Sequence, residues 1–334
     1  MSPVSAPLLP WLEDAWQGLQ RRRQAGRLAH GWLFTGPTGT GKLTLARYFL
    51  QAVQCEAPDN QGVACGHCHG CRMWQAGTHP DLMELTIPED KSRILVEQIR
   101  DLKDFMSLSR SHGSHRMIIL WPADAMTDNA ANSLLKTLEE PPGEALLILV
   151  SAHPSRLPAT IYSRCQQLKL TLPGRVQARG WLATRLPTVT EADLDVLLAL
   201  AHGSPLRALQ LEDQGELSRW RVQLADILAL IQGKKGVVEL SEQWHKAPVD
   251  QLIDRLHILI SDGVRWHMVG ADTARLSGLS DLATLQHLAA CLDLDTCLYL
   301  QSCLLQWRRL AESPINPQVL LEDILVTLRD PARH

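Results

Sequence analysis

Hydrophobic spacing changes character about halfway along the chain. In the first half, short apolar runs alternate with helical stripes. Trp11, Leu12, Ala15, Trp16 and Leu19 recur at helical intervals, and Arg21, Arg22 and Arg23 follow where cations suit a helix C-terminus. That spacing predicts a first amphipathic helix. Gly31 to Thr35 is a short apolar run that stops at a glycine loop, so it reads as a buried strand, and Leu45 to Val53 reads as the helix after it. Asp81 to Leu85, Met117 to Leu120, Ala145 to Val150 and Leu168 to Leu170 are further strand candidates. Between them, Ile94 to Leu108 carries apolar residues at 95, 99, 102 and 106, and Thr127 to Glu140 is a helix stopped by Pro141 and Pro142. Strands alternating with helices predict a parallel sheet covered on both faces.

Beyond Pro173 the strand signals cease. Val176 to Leu186 and Glu191 to Ala201 predict two helices, the second ending at Gly203. From Glu216 onward nearly everything reads as helix. Leu252, Leu256, Leu259, Ile260 and Val264 form one stripe; Leu321, Ile324, Leu325 and Leu328 form another, with Asn316 and Pro317 as its cap and first helical residue. The expected organisation is an α/β domain over residues 1–172, with a polar insertion at about 54–80. A small helical domain over 173–211 and an all-α bundle over 212–334 follow it.

Composition narrows the possibilities. Hydrophobic residues make up 45% and charged residues 21% of the chain, enough for packed cores rather than disorder. No run of 18 apolar residues occurs, so no membrane span is expected. Met1 to Pro10 has neither a basic start nor a long apolar stretch, and a cytoplasmic location without a signal peptide is expected. The net charge of −3 argues against a protein that grips DNA alone, because such affinity comes from neutralising phosphates. Any nucleic-acid role is therefore local or shared with partners.

Gly36-Pro37-Thr38-Gly39-Thr40-Gly41-Lys42-Leu43 lies between a strand candidate and a helix candidate. The phosphate-binding pattern in that setting is G-x-x-x-x-G-K-S/T. Its glycines let backbone N–H groups point at phosphate, its lysine reaches the outer phosphates, and its hydroxyl holds magnesium. Gly36, Gly39, Gly41 and Lys42 are the candidate nucleotide-binding residues, but Leu43 has no oxygen. P-loop ATPases also carry an aspartate at the end of another strand, commonly with a glutamate to activate water. Here Trp121 and Pro122 stand in those places, and neither can bind magnesium or take a proton. Asp124, three residues beyond Trp121, reads as a surface or capping residue. A fold of the P-loop type is expected, without a working magnesium site.

Of eight cysteines, Cys55, Cys65, Cys68 and Cys71 form C-x9-C-x2-C-x2-C, while Cys165, Cys291, Cys297 and Cys303 are scattered. Two-residue spacing lets neighbouring thiolates reach one metal from a tight turn, and four sulfurs close a tetrahedron. Gly62, Gly66 and Gly70 are expected to supply the turns. Zinc in a closed structural site is the first reading and an iron–sulfur centre the second. His67 and His69 lie between the ligands and could compete for the metal. Cys165 reads as a packed thiol.

Asn132-Ser133-Leu134-Leu135-Lys136-Thr137-Leu138-Glu139-Glu140-Pro141-Pro142 resembles a helix of the bacterial clamp-loader AAA+ subunits. Leu146 to Leu170, with Pro158-Ala159-Thr160-Ile161-Tyr162-Ser163-Arg164-Cys165, is similar to the same subunits. So are His30 to Pro37 and Gly77-Thr78-His79-Pro80-Asp81. The likeness covers about the first 210 residues; the C-terminal helices match in character only.

The resemblance implies an AAA+ P-loop domain with a zinc-binding insertion, a small helical lid domain and an all-α collar domain that joins subunits. It implies a place in a DNA polymerase III holoenzyme, partnered with gamma/tau-type and delta-type subunits. Through that assembly it implies contact with a sliding clamp and primed DNA. Leu43, Trp121 and Pro122 set the chain with the branch whose ATP site has decayed, so ATP and magnesium binding of its own is doubtful. A family G-S-x-R arginine that senses nucleotide has Leu206 in its place, with Arg207 displaced by one. The resemblance also implies that Arg164 serves as an arginine finger acting in trans on a neighbour's ATP. There a guanidinium spreads its charge along the γ-phosphoryl oxygens. A gamma-like ATPase and a stand-alone zinc-containing DNA-binding protein are the alternatives.

Overall fold

The computed structural model describes residues 7–270 and 276–331. The chain divides into two compact units, Met1–Pro173 and Gly174–His334. In the first, α1 (Glu13–Gln24) precedes β1 (Gly31–Thr35), and α2 (Lys42–Gln54) follows the glycine loop. Then come α3 (His69–Ala76), β2 (Leu82–Leu85), α4 (Val96–Ser107), β3 (Arg116–Leu120) and α5 (Asp128–Glu139). β4 (Ala145–Ser151), α6 (Ala159–Arg164) and β5 (Gln166–Lys169) complete the unit. The strands form one parallel sheet in the order β2-β3-β4-β1-β5.

The three central strands are wholly buried, which is why their sequences are continuous apolar runs rather than alternating ones. One face, with Leu33, Ile118, Leu120, Leu147 and Leu149, packs under Ile99, Leu102 and Met106 of α4 and Leu134 and Leu138 of α5. Helix α2 covers the other face over β1, β3 and β4. The connection leaving β1 runs to one side of the sheet and the one leaving β4 to the other. The strand ends at Thr35 and Ser151, which are paired in register, therefore flank the crevice where such sheets bind ligands.

Every strand expected from spacing is present, with ends displaced by one or two residues. Three helices were not legible. α3 lies inside the cysteine insertion, α6 carries the Ser-Arg-Cys segment, and α9 (Pro205–Asp213) follows Gly203-Ser204. All three are nine residues or shorter, too short for spacing to reveal.

Gly36 shows how closely the loop fits. Its φ is +144°, and a Cβ there would lie 2.1 Å from the carbonyl oxygen of Leu170, just past β5. Gly36→Ala is expected to cost roughly 3 kcal/mol from backbone strain and overpacking together. It should lower the thermal midpoint of the first unit by about 10 °C. An unchanged midpoint in a melting curve would contradict the close approach.

The second unit is helical. α7 (Arg175–Arg185), α8 (Glu191–Leu200) and α9 share a core of Ala178, Leu182, Leu194, Leu197 and Ala208. α10 (Glu216–Ile231), α11 (Val237–Trp244), α12 (Val249–Val269), α13 (Leu282–Cys291), α14 (Leu294–Ala311) and α15 (Pro317–Arg329) surround a larger core. Leu211 packs against both cores, and α9 runs through residues 211–212. A division placed there from the sequence therefore cuts a helix. The Asn316 side chain caps α15 by accepting from the Gln318 N–H, with Pro317 as its first residue. Among the described residues, no single helix is long and apolar enough to cross a membrane.

Candidate functional site

The Sγ atoms of Cys55, Cys65, Cys68 and Cys71 all lie within 4.8 Å of one another. A tetrahedron with metal–sulfur bonds of about 2.3 Å has edges of roughly 3.8 Å, so the four sulfurs need only a small contraction to hold one ion. Backbone N–H groups already point at them: that of Cys65 at Cys55 Sγ (3.2 Å), that of Cys68 at Cys65 Sγ (3.3 Å) and that of Cys71 at Cys68 Sγ (3.4 Å). Such donors favour thiolates. The N–H groups of His67 and Cys68 hold the Cys65 thiol down at about 6, while burial pushes the Cys55 and Cys71 thiols up.

His67 and His69 stand outside this set. His67 Nδ1 lies 2.8 Å from the Cys65 carbonyl, and the His69 ring packs edge-on to His112. Gly62 and Gly66 have the positive φ expected of turn residues, but Gly70 does not supply a turn. It lies in α3, where a Cβ would press within 3.0 Å of the Gln54 carbonyl, so the glycine there permits close packing. Cys55 is the C-cap of α2 and Cys71 lies in α3, so an ion here would join the two helices.

At the other end of α2, the glycine loop is formed. Gly39 and Gly41 have φ of +75° and +88°. Lys42 Nζ donates to the carbonyls of Gly36 and Pro37, 2.7 Å each, closing the loop on itself. Burial pushes its ammonium down to about 8, with the Asp124 carboxylate opposing. Trp11, before α1, donates its indole N–H to the Thr40 carbonyl at 2.9 Å and braces the loop from outside.

Asp124 is neither the surface residue nor the helix cap that the sequence suggested. Only 9% of its side chain is exposed, and Thr127 caps α5 instead. Its carboxylate accepts from Ser151 Oγ (2.6 Å) and the Ala152 N–H (3.1 Å), and His153 Nδ1 lies 3.3 Å away. Burial alone would raise its pKa; the hydrogen bonds from Ser151, His153 and Ala152 outweigh that and hold it below the ordinary carboxylate value. This is the acidic group of the crevice, reached from the turn after β3. It is already engaged by β4's end and the two residues after it, whereas the end of β3 carries Trp121 and Pro122. No sequence signal marked the pairing, since its partners lie 27 to 29 residues away.

Asp81 is a second such case. Fully buried, it accepts from the N–H groups of Ser111 and His112 and pairs with Arg116, shaping the loop before β3. Arg164 ends α6, half exposed, against Glu139 at the end of α5. Cys165 beside it is buried, and burial pushes its thiol up to about 12, as befits a packed and unreactive group.

Comparisons with known proteins match the first unit closely. A family model described as "DNA polymerase III, delta subunit" matches residues 11–173. The DNA polymerase III subunit delta-prime of Pseudomonas aeruginosa is 36% identical over 324 residues, which is 96% of this chain and 97% of that protein. That of Escherichia coli is 36% identical over 220 residues, 66% of this chain and 65% of its own length. The DNA polymerase III subunit tau of Bacillus subtilis is 30% identical over 73% of this chain and 44% of its own. Such identity across nearly the whole of two chains settles the relationship: the chain belongs to the family of DNA polymerase III delta-prime subunits.

Proposed function

We propose that this chain is a non-hydrolysing clamp-loader subunit that helps place a sliding clamp on primed DNA in the cytoplasm. The observation that carries this is the strand end beside a formed glycine loop, where Trp121 and Pro122 replace the acids that would organise magnesium and water. Leu43 also lacks the hydroxyl that would hold magnesium. A chain with that crevice contributes to ATP turnover from outside it. Arg164 acts as an arginine finger on ATP held by a gamma/tau-type neighbour. The α7–α9 region acts as a lid and the α10–α15 bundle as a collar that joins subunits, with a delta-type subunit elsewhere in the ring. The four cysteines hold a structural zinc.

Isolated protein is expected to turn over no ATP above background. In a complex rebuilt with its partner subunits, Lys42→Ala should leave the rate of clamp loading nearly unchanged. A phosphate-release assay on the protein alone, and a clamp-loading assay on the complex, check both. Turnover by the isolated chain that disappears with Lys42→Ala would make it a gamma-like ATPase instead.

A further inference from the structure

Arg164 is held rather than free. Its Nε donates to Glu139 Oε1 at 2.7 Å, its Nη2 lies 2.5 Å from the same oxygen, and its Nη1 donates to the Thr160 carbonyl at 3.1 Å. A guanidinium has five N–H groups; Nε and Nη1 each donate one here, Nη2 stands beside the same carboxylate, and the other N–H groups remain for a ligand. The contact is exposed: 35% of the Arg164 side chain and 48% of the Glu139 side chain are accessible. Ion pairs in that setting add little to stability. What this one supplies is direction.

Glu139 stands on a firm base. It is the last residue of α5, and Leu138 before it is buried. The Leu138 carbonyl lies 2.9 Å from His30 Nε2, immediately before β1. A carboxylate carried on a helix end so anchored can fix the plane of a guanidinium that would otherwise swing on its long side chain, and geometry of this kind governs transition-state contacts.

We infer that Glu139 is a positioning residue for Arg164. It grips one edge of the guanidinium and keeps the remaining N–H groups available to a polyphosphate presented by a neighbouring subunit. The inference rests on the reading of Arg164 as a finger acting in trans.

The test uses a complex rebuilt from this chain and its partner clamp-loader subunits. Clamp-loading rate, and kcat and KM for ATP, are measured for Glu139→Ala, Glu139→Gln, Arg164→Ala and the double variant Glu139→Ala/Arg164→Ala. Glu140→Ala serves as a control, since Glu140 shows no contact to Arg164. Glu139→Ala is expected to slow clamp loading on the order of tenfold, lowering kcat and leaving KM unchanged. Glu139→Gln, which keeps an acceptor oxygen at the same reach, should recover part of the loss. Added to Arg164→Ala, Glu139→Ala should cost nothing further. Melting curves and zinc content should match the unsubstituted protein, which separates misplacement from damage. If Arg164→Ala slows loading but Glu139→Ala does not, or if their effects multiply, the positioning role is wrong and the finger stands. A faster Glu139→Ala complex also overturns it, since the carboxylate would then restrain the arginine. If Arg164→Ala is itself without effect, the finger fails first and this role falls with it.

Discussion

Stripping the metal with a strong chelator, or replacing Cys71 by serine, is expected to unfold the segment from Cys55 to about Gly77 while the second unit stays helical. Freshly purified protein should hold one zinc ion. The segment has little else to hold it: α3 has eight residues, too few to persist alone, and its apolar anchor to the domain is Trp74. Structural zinc contributes about 10–16 kcal/mol in isolated zinc-finger peptides, so its loss outweighs one buried tryptophan. Cys55 is the C-cap of α2, whose first turn carries Lys42, so fraying should spread toward the glycine loop before it reaches the central strands. Cys55 and Cys71, with thiols pushed up by burial, must lose protons to bind metal, so affinity should weaken as pH falls. Elemental analysis and hydrogen exchange read these effects. Protein that contains iron, or no metal, would overturn the zinc assignment, and unchanged exchange after chelation would remove its structural role.

Arg164→Ala is expected to abolish most clamp loading by the assembled complex while leaving the isolated protein folded. An exposed ion pair with Glu139 contributes about 0–1 kcal/mol, so the thermal midpoint should move by at most about 4 °C. The zinc should remain, because Arg164 lies on α6 and the cysteines between α2 and α3. An arginine finger supplied in trans is worth about 10³–10⁵ in rate at the site it serves. With only one of several ATP sites affected, total ATPase should fall much less than that. Loading, which needs the sites to act together, should fall further than total turnover. Arg164→Lys should rescue poorly, since an ammonium keeps the charge but loses the planar fork. DNA- and clamp-stimulated ATPase, with assembly checked by gel filtration, is the measurement. Normal assembly with an unmodified loading rate would leave this chain a structural member of the ring.

Local chemistry is what could be read from residue order. The central strands announce themselves because burial on both faces demands unbroken apolar runs, as in Met117 to Leu120. The lack of a hydroxyl or carboxylate at Leu43, Trp121 and Pro122 is equally local, since it holds wherever those side chains point. The cysteine spacing carries its own geometry, and the four sulfurs converge as that spacing requires. The three-dimensional arrangement decided what depends on groups distant in the chain. Sheet register brings Ser151 beside the glycine loop and onto Asp124, converting an apparent surface carboxylate into a half-buried, hydrogen-bonded one. Packing sets Trp11 on the Thr40 carbonyl and Asp81 on the Ser111 to Gly113 amides. It also sets Glu139 on Arg164, 25 residues away. Apolar periodicity reports which face of an element is buried, but a hydrogen bond between two elements depends on where the whole sheet places their ends.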